Sequence, residues 1–385
     1  MQSFEFATSE QIIFGNGSLS KVGEIAPIFG KSALIVKGGG SVSAGPLINL
    51  LDQAEVTYEI FTVTSEPDIT TIESGMALAE RSGADFLIGF GGGSVLDSAK
   101  AIAAMLKNEG ALIDYLEVIG EGKPIVKKSA PMIAIPTTAG TGTEVTRNAV
   151  IASSKHQVKV SLRSRTMIPT VAIVDPELTY TLPPSITATT GMDAFTQVLE
   201  GYVSSKANPM TDAISAEGIR RGSRSLLTAF LDGGNQQARE DMAITSLFGG
   251  LTLANGGLGA VHGFAGPIGG MFDIAHGLIC ASLLPHVMKY NAIIISRTDD
   301  KGDYYQRYLN IARWVTGDKN ADIHEGVTWI KHLAEELNIP TLKQMGIAAT
   351  DFQTIIEKSK VSSSMQKNPV ILDEHTLTSI LEEAY

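Results

Sequence analysis

Asp85–Lys100 reads DFLIGFGGGSVLDSAK, and this stretch decides the fold. Asp85–Phe90 is a short apolar run of the kind found in a buried strand. Ser94–Leu106 carries helical periodicity, and only glycines separate the two. The same arrangement recurs on either side. Ser32–Lys37 (SALIVK) runs into Gly38-Gly39-Gly40, and Thr57–Val63 (TYEIFTV) precedes the helical stretch Thr70–Ser82. Pro131–Ile135 (PMIAI) closes at Pro136, and Val171–Asp175 (VAIVD) is the last strand. Strands alternating with helices at this spacing predict a parallel sheet with helices on both faces.

Beyond Leu182-Pro183-Pro184 the pattern changes. Thr187–Ser204, Met210–Leu231, Ala238–Ala254, Ile274–Tyr290, Asp303–Val315 and Ile323–Leu337 all show helical periodicity, with no strand among them. Two adjacent prolines continue a helix poorly and mark a junction. A single core stops growing near roughly 250–300 residues, so a chain of 385 residues is expected to divide. The expectation is a Rossmann-like α/β domain over 1–182 and an all-helical domain over 183–385.

Composition narrows the partners. The chain carries 41 acidic and 30 basic residues, a formal net charge of −11. That balance argues against nucleic acid and anionic membranes, which need clustered Lys and Arg. One cysteine forms no internal disulfide. The start, MQSFEFATSEQIIFG, lacks the basic and apolar segments of a signal peptide, and no apolar run approaches about 20 residues. A soluble cytoplasmic protein is expected.

Glycines at the C-terminal end of a strand let backbone N–H groups approach a ligand, and the following helix adds its positive end. Gly92-Gly93-Ser94 is therefore suited to a pyrophosphate. Ser94 and Asp97 have the spacing of a capping box. The spacing departs from the usual dinucleotide fingerprint, because Ser94 stands where the third glycine belongs. A simple tight turn accounts for the same glycines. A similar segment, VKGGGSV (Val36–Val42), follows the first strand. Pro136–Glu144 (PTTAGTGTE) places Thr137, Thr138, Thr141 and Thr143 in another loop after a strand, suited to ribose and phosphate oxygens or to a self-satisfied solvated turn.

In the helical half, Asp193 and Gln197 in TTGMDAFTQVLEG stand four apart and share a helix face. His262 and His276 lie in GAVHGFAGPIGGMFDIAHGL. Carboxylate and imidazole suit Fe²⁺ or Zn²⁺, although a lone histidine is more often a satisfied core residue and no short fixed-spacing metal motif is present.

Taken together, GGGSVLDSAKAIA, IPTTAGTGTEVT, the Asp193/His262/His276 set and LLPHVMKYN (Leu283–Asn291) resemble the iron-dependent (group III) alcohol dehydrogenase family, over nearly the whole chain and in order. The resemblance implies the two-domain architecture shared with dehydroquinate synthase, with a cleft between the domains. It implies pyrophosphate binding by Gly92, Gly93 and Ser94, with Asp97 beside them, and nucleotide contacts from Thr137, Thr138, Thr141, Lys159 and Leu178. It implies metal ligation by Asp193, His262 and His276, a small alcohol or aldehyde substrate, and a homodimer or larger assembly. Gln197 occupies a place usually held by histidine; its carbonyl oxygen is a harder, weaker donor. A proton-relay histidine found in some relatives is Gly266 here. NAD-preferring relatives carry an acid after the first strand, whereas this chain has Lys37-Gly38-Gly39-Gly40-Ser41, which resembles the NADP-preferring branch. Asn148, Phe264 and Met271 are candidate pocket residues. The competing readings are a metal-independent reductase of the same superfamily, a lyase resembling dehydroquinate synthase, and a nucleotide-binding protein without turnover.

Overall fold

The computed structural model describes residues 3–40, 42–153, 156, 158–297 and 302–385. The chain separates into two compact units: Ala7–Leu182, and Pro183–Tyr385 together with the N-terminal stretch ending at Phe6.

The first unit runs β1 (Gln11–Phe14), α1 (Val22–Phe29), β2 (Ser32–Gly38), α2 (Gly45–Gln53), β3 (Thr57–Val63), α3 (Ile69–Ser82), β4 (Phe86–Gly91), α4 (Gly93–Met105), a single turn α5 (Leu112–Tyr115), β5 (Met132–Pro136), the strands β6 (Asn148–Ser153) and β7 (Val158–Arg163), and β8 (Val171–Val174). Six strands form one parallel sheet in the order β1-β8-β5-β4-β2-β3. Alternate residues feed opposite faces. Leu34, Val36, Leu87, Met132 and Ala134 join one apolar core, and Ala33, Ile35, Phe86, Ile88, Phe90, Ile133 and Ile135 join the other. This two-faced burial is why these strands read as continuous apolar runs.

The strand order reverses at β2. From β2 the chain moves outward to β3, then returns to the opposite side for β4 and β5. Val36 pairs with Gly89 and Lys37 with Phe90, so Gly38 and Gly91 end neighbouring strands at this switch point. Open parallel sheets bind ligands there. Both triple-glycine loops are placed at it by topology alone. β6 and β7 form a separate antiparallel pair.

The second unit contains α6 (Pro184–Val203), α7 (Pro209–Leu231), α8 (Gln236–Gly256), α9 (Ala260–Met271), α10 (His276–Arg297), α11 (Asp303–Thr316), α12 (Ile323–Glu336), α13 (Phe352–Lys360) and α14 (Glu374–Glu383). Asn208 caps α7 through a capping box, and Asp322 caps α12 the same way. One expectation needs correction. α10 is long and apolar enough by length and composition to cross a membrane. Its apolarity belongs to the core: Ile279, Leu283, Leu284, Val287 and Met288 are all buried.

Candidate functional site

The loop at the end of β4 departs from the expected capping pattern. α4 begins one residue early, at Gly93, with Gly92 as its N-cap and no side-chain cap hydrogen bond. Ser94 instead accepts through its carbonyl from Ser98 Oγ at 2.8 Å. Gly91 and Gly92 already hold the chain extended into the helix, so Ser94 lies inside the first turn. The uncapped first-turn amides of a helix are anion donors.

Asp97 also has a different job from the one expected beside a pyrophosphate. It is buried, with Oδ1 2.5 Å from Thr143 Oγ1 and Oδ2 accepting from Val150 N at 2.9 Å. It pairs with the fully buried Lys100 at 3.0 Å. Lys100 also donates to Thr146 Oγ1 at 2.9 Å and to the Asn148 carbonyl. Burial pulls the Lys100 ammonium below its usual range, against the opposing pull of Asp97. Burial likewise pushes the nearby Glu144 carboxyl up to about 7, against its own backbone hydrogen bond and the Lys100 charge. This network ties α4 to the threonine loop and β6.

The threonine loop packs on the glycine loop. A Cβ on Gly93 would lie 2.8 Å from Thr141 Cγ2, so only glycine permits this approach. A Cβ on Gly92 would lie 3.4 Å from Thr138. Thr137 is buried and donates its N–H to the Gly91 carbonyl at 3.0 Å. At the end of β2, Gly39 and Gly40 are exposed, while Lys37 turns back onto the Gly38 carbonyl at 3.1 Å. Ser41 lies outside the described residues. Lys159, on β7, is paired with Glu66 at 2.5 Å. Leu178 is half-buried against the sheet core. The Asn148 carbonyl is taken by Lys100, and Phe264 is completely buried, which makes it core rather than pocket wall.

In the helical unit, Asp193, His262, His276 and Cys280 converge. One ligand atom from each lies within 4.8 Å of every other. Asp193 comes from α6, His262 from the first turn of α9, and His276 opens α10. Cys280 sits one turn further along α10 and was not singled out from the sequence. The signal was present: His276 and Cys280 are four apart, the same spacing that drew attention to Asp193 and Gln197. His262 Nε2 is 3.3 Å from Asp193 Oδ1 and 3.8 Å from Cys280 Sγ. The two imidazole centroids are 5.4 Å apart. Asp193 is 2% exposed, yet its Oδ1 has no hydrogen-bond partner. A buried carboxylate oxygen in that state fits a cation site. Gln197 shares the α6 face and brings Oε1 against α8, 2.6 Å from where a Gly249 Cβ would stand.

Glu200 is a second residue missed in the sequence, one helical turn beyond Gln197. Its Oε1 accepts from Val261 N at 2.6 Å. Its Oε2 accepts from His262 N at 3.3 Å and lies 2.7 Å from His262 Nδ1. An ionised carboxylate only accepts, so in the neutral ring Nδ1 carries the proton and the lone pair sits on Nε2, which faces Asp193 and Cys280. Carboxylates behind a ligating histidine commonly fix its tautomer in this way. Burial opposes charge on Asp193, His262 and His276. Even so, His262 and the two imidazole charges hold the Asp193 carboxyl below its usual range. Cys280, Asp193 and Glu200 together hold His262 well above its usual range. A positive charge is favoured at this centre.

The sequence matches two family models in succession: iron-containing alcohol dehydrogenase over residues 9–176, and the C-terminal region of the Fe-containing alcohol dehydrogenase family over 187–385. The 1,3-propanediol dehydrogenase of Klebsiella pneumoniae is 34% identical, covering 99% of both chains. Alcohol dehydrogenase 4 of Saccharomyces cerevisiae is 32% identical, covering 97% of this chain and 96% of the yeast protein. A crystal structure of 1,3-propanediol oxidoreductase superposes with a TM-score of 0.93 at 32% identity, over the full length of both. A parallel-sheet unit followed by a helical unit that gathers carboxylate and imidazole in one buried cluster is thus accompanied by full-length similarity, and the chain belongs to the iron-containing alcohol dehydrogenase family, an oxidoreductase family of alcohol dehydrogenases and aldehyde reductases.

Proposed function

We propose that this protein is a metal-dependent enzyme interconverting a small primary alcohol and its aldehyde with NADP(H). The observation that carries the reading is the Asp193/His262/His276/Cys280 cluster, with a buried Asp193 oxygen lacking any hydrogen-bond partner. Asp193, His262 and His276 would hold the divalent ion, and Glu200 keeps the His262 lone pair directed at it. Gln197, on the same face of α6 as Asp193, would add a carbonyl oxygen donor. A bound ion would supply Lewis acidity at the substrate oxygen, and the nicotinamide would supply or accept the hydride.

The rest falls to the chain's own residues. The amides of Gly92, Gly93 and Ser94 at the α4 N-terminus suit the pyrophosphate, with Thr138 and Thr141 beside them. Lys37 and the exposed Gly39-Gly40 amides suit a 2′-phosphate, since no carboxylate of the Lys37–Gly40 turn repels it. NADP preference is also supported by the "NADPH-dependent butanol dehydrogenase" of Clostridium saccharobutylicum, 31% identical over 99% of this chain. Gly266 has open space where a side chain would project, which supports proton exchange with water on that face of α9. A cytoplasmic homodimer belongs to the same proposal, on the acidic composition and the family resemblance. The metal-independent and lyase readings gain nothing from the relatives, which are named as dehydrogenases.

The test is a screen of metal-reconstituted protein against short aldehydes, with NADPH and NADH as alternative reductants. Oxidation of NADPH that requires both aldehyde and divalent ion is expected. Equal turnover after chelation would remove the metal role, and faster turnover with NADH would reverse the cofactor assignment.

A further inference from the structure

We propose that the thiolate of Cys280 is a direct ligand of the ion, completing an Asp193/His262/His276/Cys280 donor set. This rests on the reading that the cluster holds a divalent ion, and it adds a sulfur donor to it. Three observations lead there. His276 and Cys280 are four apart on α10, so both project from one face of that helix. Cys280 is completely buried, and its sulfur belongs to the group of four mutually close ligand atoms. Independently, Asp193 places a buried oxygen without a hydrogen-bond partner in the same group.

Two of the separations among the four ligand atoms are those expected when the sulfur ligates. A tetrahedral ion with bonds of about 2.1 Å to nitrogen or oxygen and about 2.3 Å to sulfur separates N from O by about 3.4 Å and N from S by about 3.6 Å. The observed edges are 3.3 Å from His262 Nε2 to Asp193 Oδ1 and 3.8 Å from His262 Nε2 to Cys280 Sγ. Both are close to edges across a shared ion, and the other separations among the four atoms lie within 4.8 Å. The N–S separation is long for a hydrogen bond from a thiol, although it allows a weak one.

Adding sulfur changes the chemistry of the centre. Thiolate is softer than imidazole, amide or carboxylate, and a set with one sulfur suits Zn²⁺ in a family named for iron. On binding, the thiol proton goes to solvent and the sulfur lone pair forms the bond to the ion. No oxidant or reductant is involved.

The experiment loads the full-length protein with zinc, measures stoichiometry, and records X-ray absorption. Cobalt-loaded protein supplies a second readout, thiolate-to-cobalt charge-transfer absorption. One ion per chain with a sulfur neighbour at about 2.3 Å is expected for wild type. Cys280→Ser is expected to lose the sulfur signal and the charge-transfer band. Its zinc affinity should fall by more than about 100-fold, because losing a residue merely behind a ligand already costs 10–100-fold. Far-ultraviolet circular dichroism monitors folding, and Cys280→Ala provides a second sulfur-free protein if the serine variant is unstable. One bound ion surrounded only by nitrogen and oxygen would overturn the sulfur assignment and leave metal binding intact. No bound ion at saturating zinc would overturn the metal reading and this proposal together.

Discussion

Replacing Glu200 by glutamine keeps the shape of the side chain and exchanges one acceptor oxygen for an NH₂ donor. Both carboxylate oxygens face donors: Oε1 meets Val261 N–H, and Oε2 meets His262 N–H and Nδ1. Either orientation of the amide therefore sets donor against donor. With NH₂ in the Oε1 position, the Val261 N–H loses its acceptor at 2.6 Å. With NH₂ in the Oε2 position, Nδ1 must become the acceptor and the proton moves to Nε2, which can then no longer bind a metal. The first outcome costs about 1–3 kcal/mol of fold stability for a buried unpaired group. The second costs metal affinity, about 10–100-fold or roughly 1.4–2.8 kcal/mol. The two effects compete, and together they should be visible in one variant. Zinc affinity is measured by competition with a chromophoric chelator, and stability of the metal-free protein by urea unfolding. ¹⁵N chemical shifts of the His262 ring report the tautomer directly. If Glu200→Gln binds zinc as tightly as wild type, unfolds at the same urea concentration and keeps its proton on Nδ1, Glu200 does not position His262.

Three further outcomes are expected. Gly277→Ala would place a Cβ 2.4 Å from the Thr189 carbonyl oxygen and 3.2 Å from Asp193 Cβ, wedging α10 from α6; a loss of about 1–3 kcal/mol in unfolding experiments, with weaker zinc binding in the chelator assay, should follow. Gly93→Ala should weaken NADPH binding measured by fluorescence titration, and adding Thr141→Ser, which removes the methyl at 2.8 Å, should recover part of the loss in a double-mutant cycle. Glu144 has a carboxyl pushed up to about 7 by burial, from an unfolded value of 4.5, so the folded state binds the extra proton between these values. Its contribution is complete below pH 4.5 and is lost as the pH rises through 7, up to about 3 kcal/mol at roughly 1.4 kcal/mol per pH unit. Urea midpoints of Glu144→Gln should therefore fall less steeply than wild type over that window, and parallel curves would refute the assignment.

The parallel sheet was readable because each central strand is buried on both faces and leaves an unbroken apolar run. β1 has only four residues, QIIF, at the sheet edge and leaves too short a run to register. α9 escaped because AVHGFAGPIGGM is dense in glycine and contains Pro267, so intrinsic propensity argues against a helix that tertiary packing nevertheless supports. The cluster residues Asp193, His262 and His276 stand out as carboxylate and imidazole in the helical half and are placed together by the family motifs. Cys280 is signalled by its four-residue spacing from His276, whereas Glu200 requires knowing which helix faces meet, which periodicity within one segment does not reveal. Asp97 misled for a similar reason: its spacing from Ser94 fits a cap, while its actual partners, Val150 and Thr143, are 53 and 46 residues away.

The glycine loops and their supporting threonines all lie between Ala7 and Leu182, whereas Asp193, Glu200, His262, His276 and Cys280 all lie beyond Pro183. On the proposed function, inheritance of the two chemistries is therefore separable along the chain. A genetic crossover near the Pro183-Pro184 pair would transmit nucleotide preference as one block and metal preference as another. Lineages of this family can in principle recombine the two traits without reassembling either site residue by residue, and a chimera joined at that dipeptide would put such an exchange into a single polypeptide.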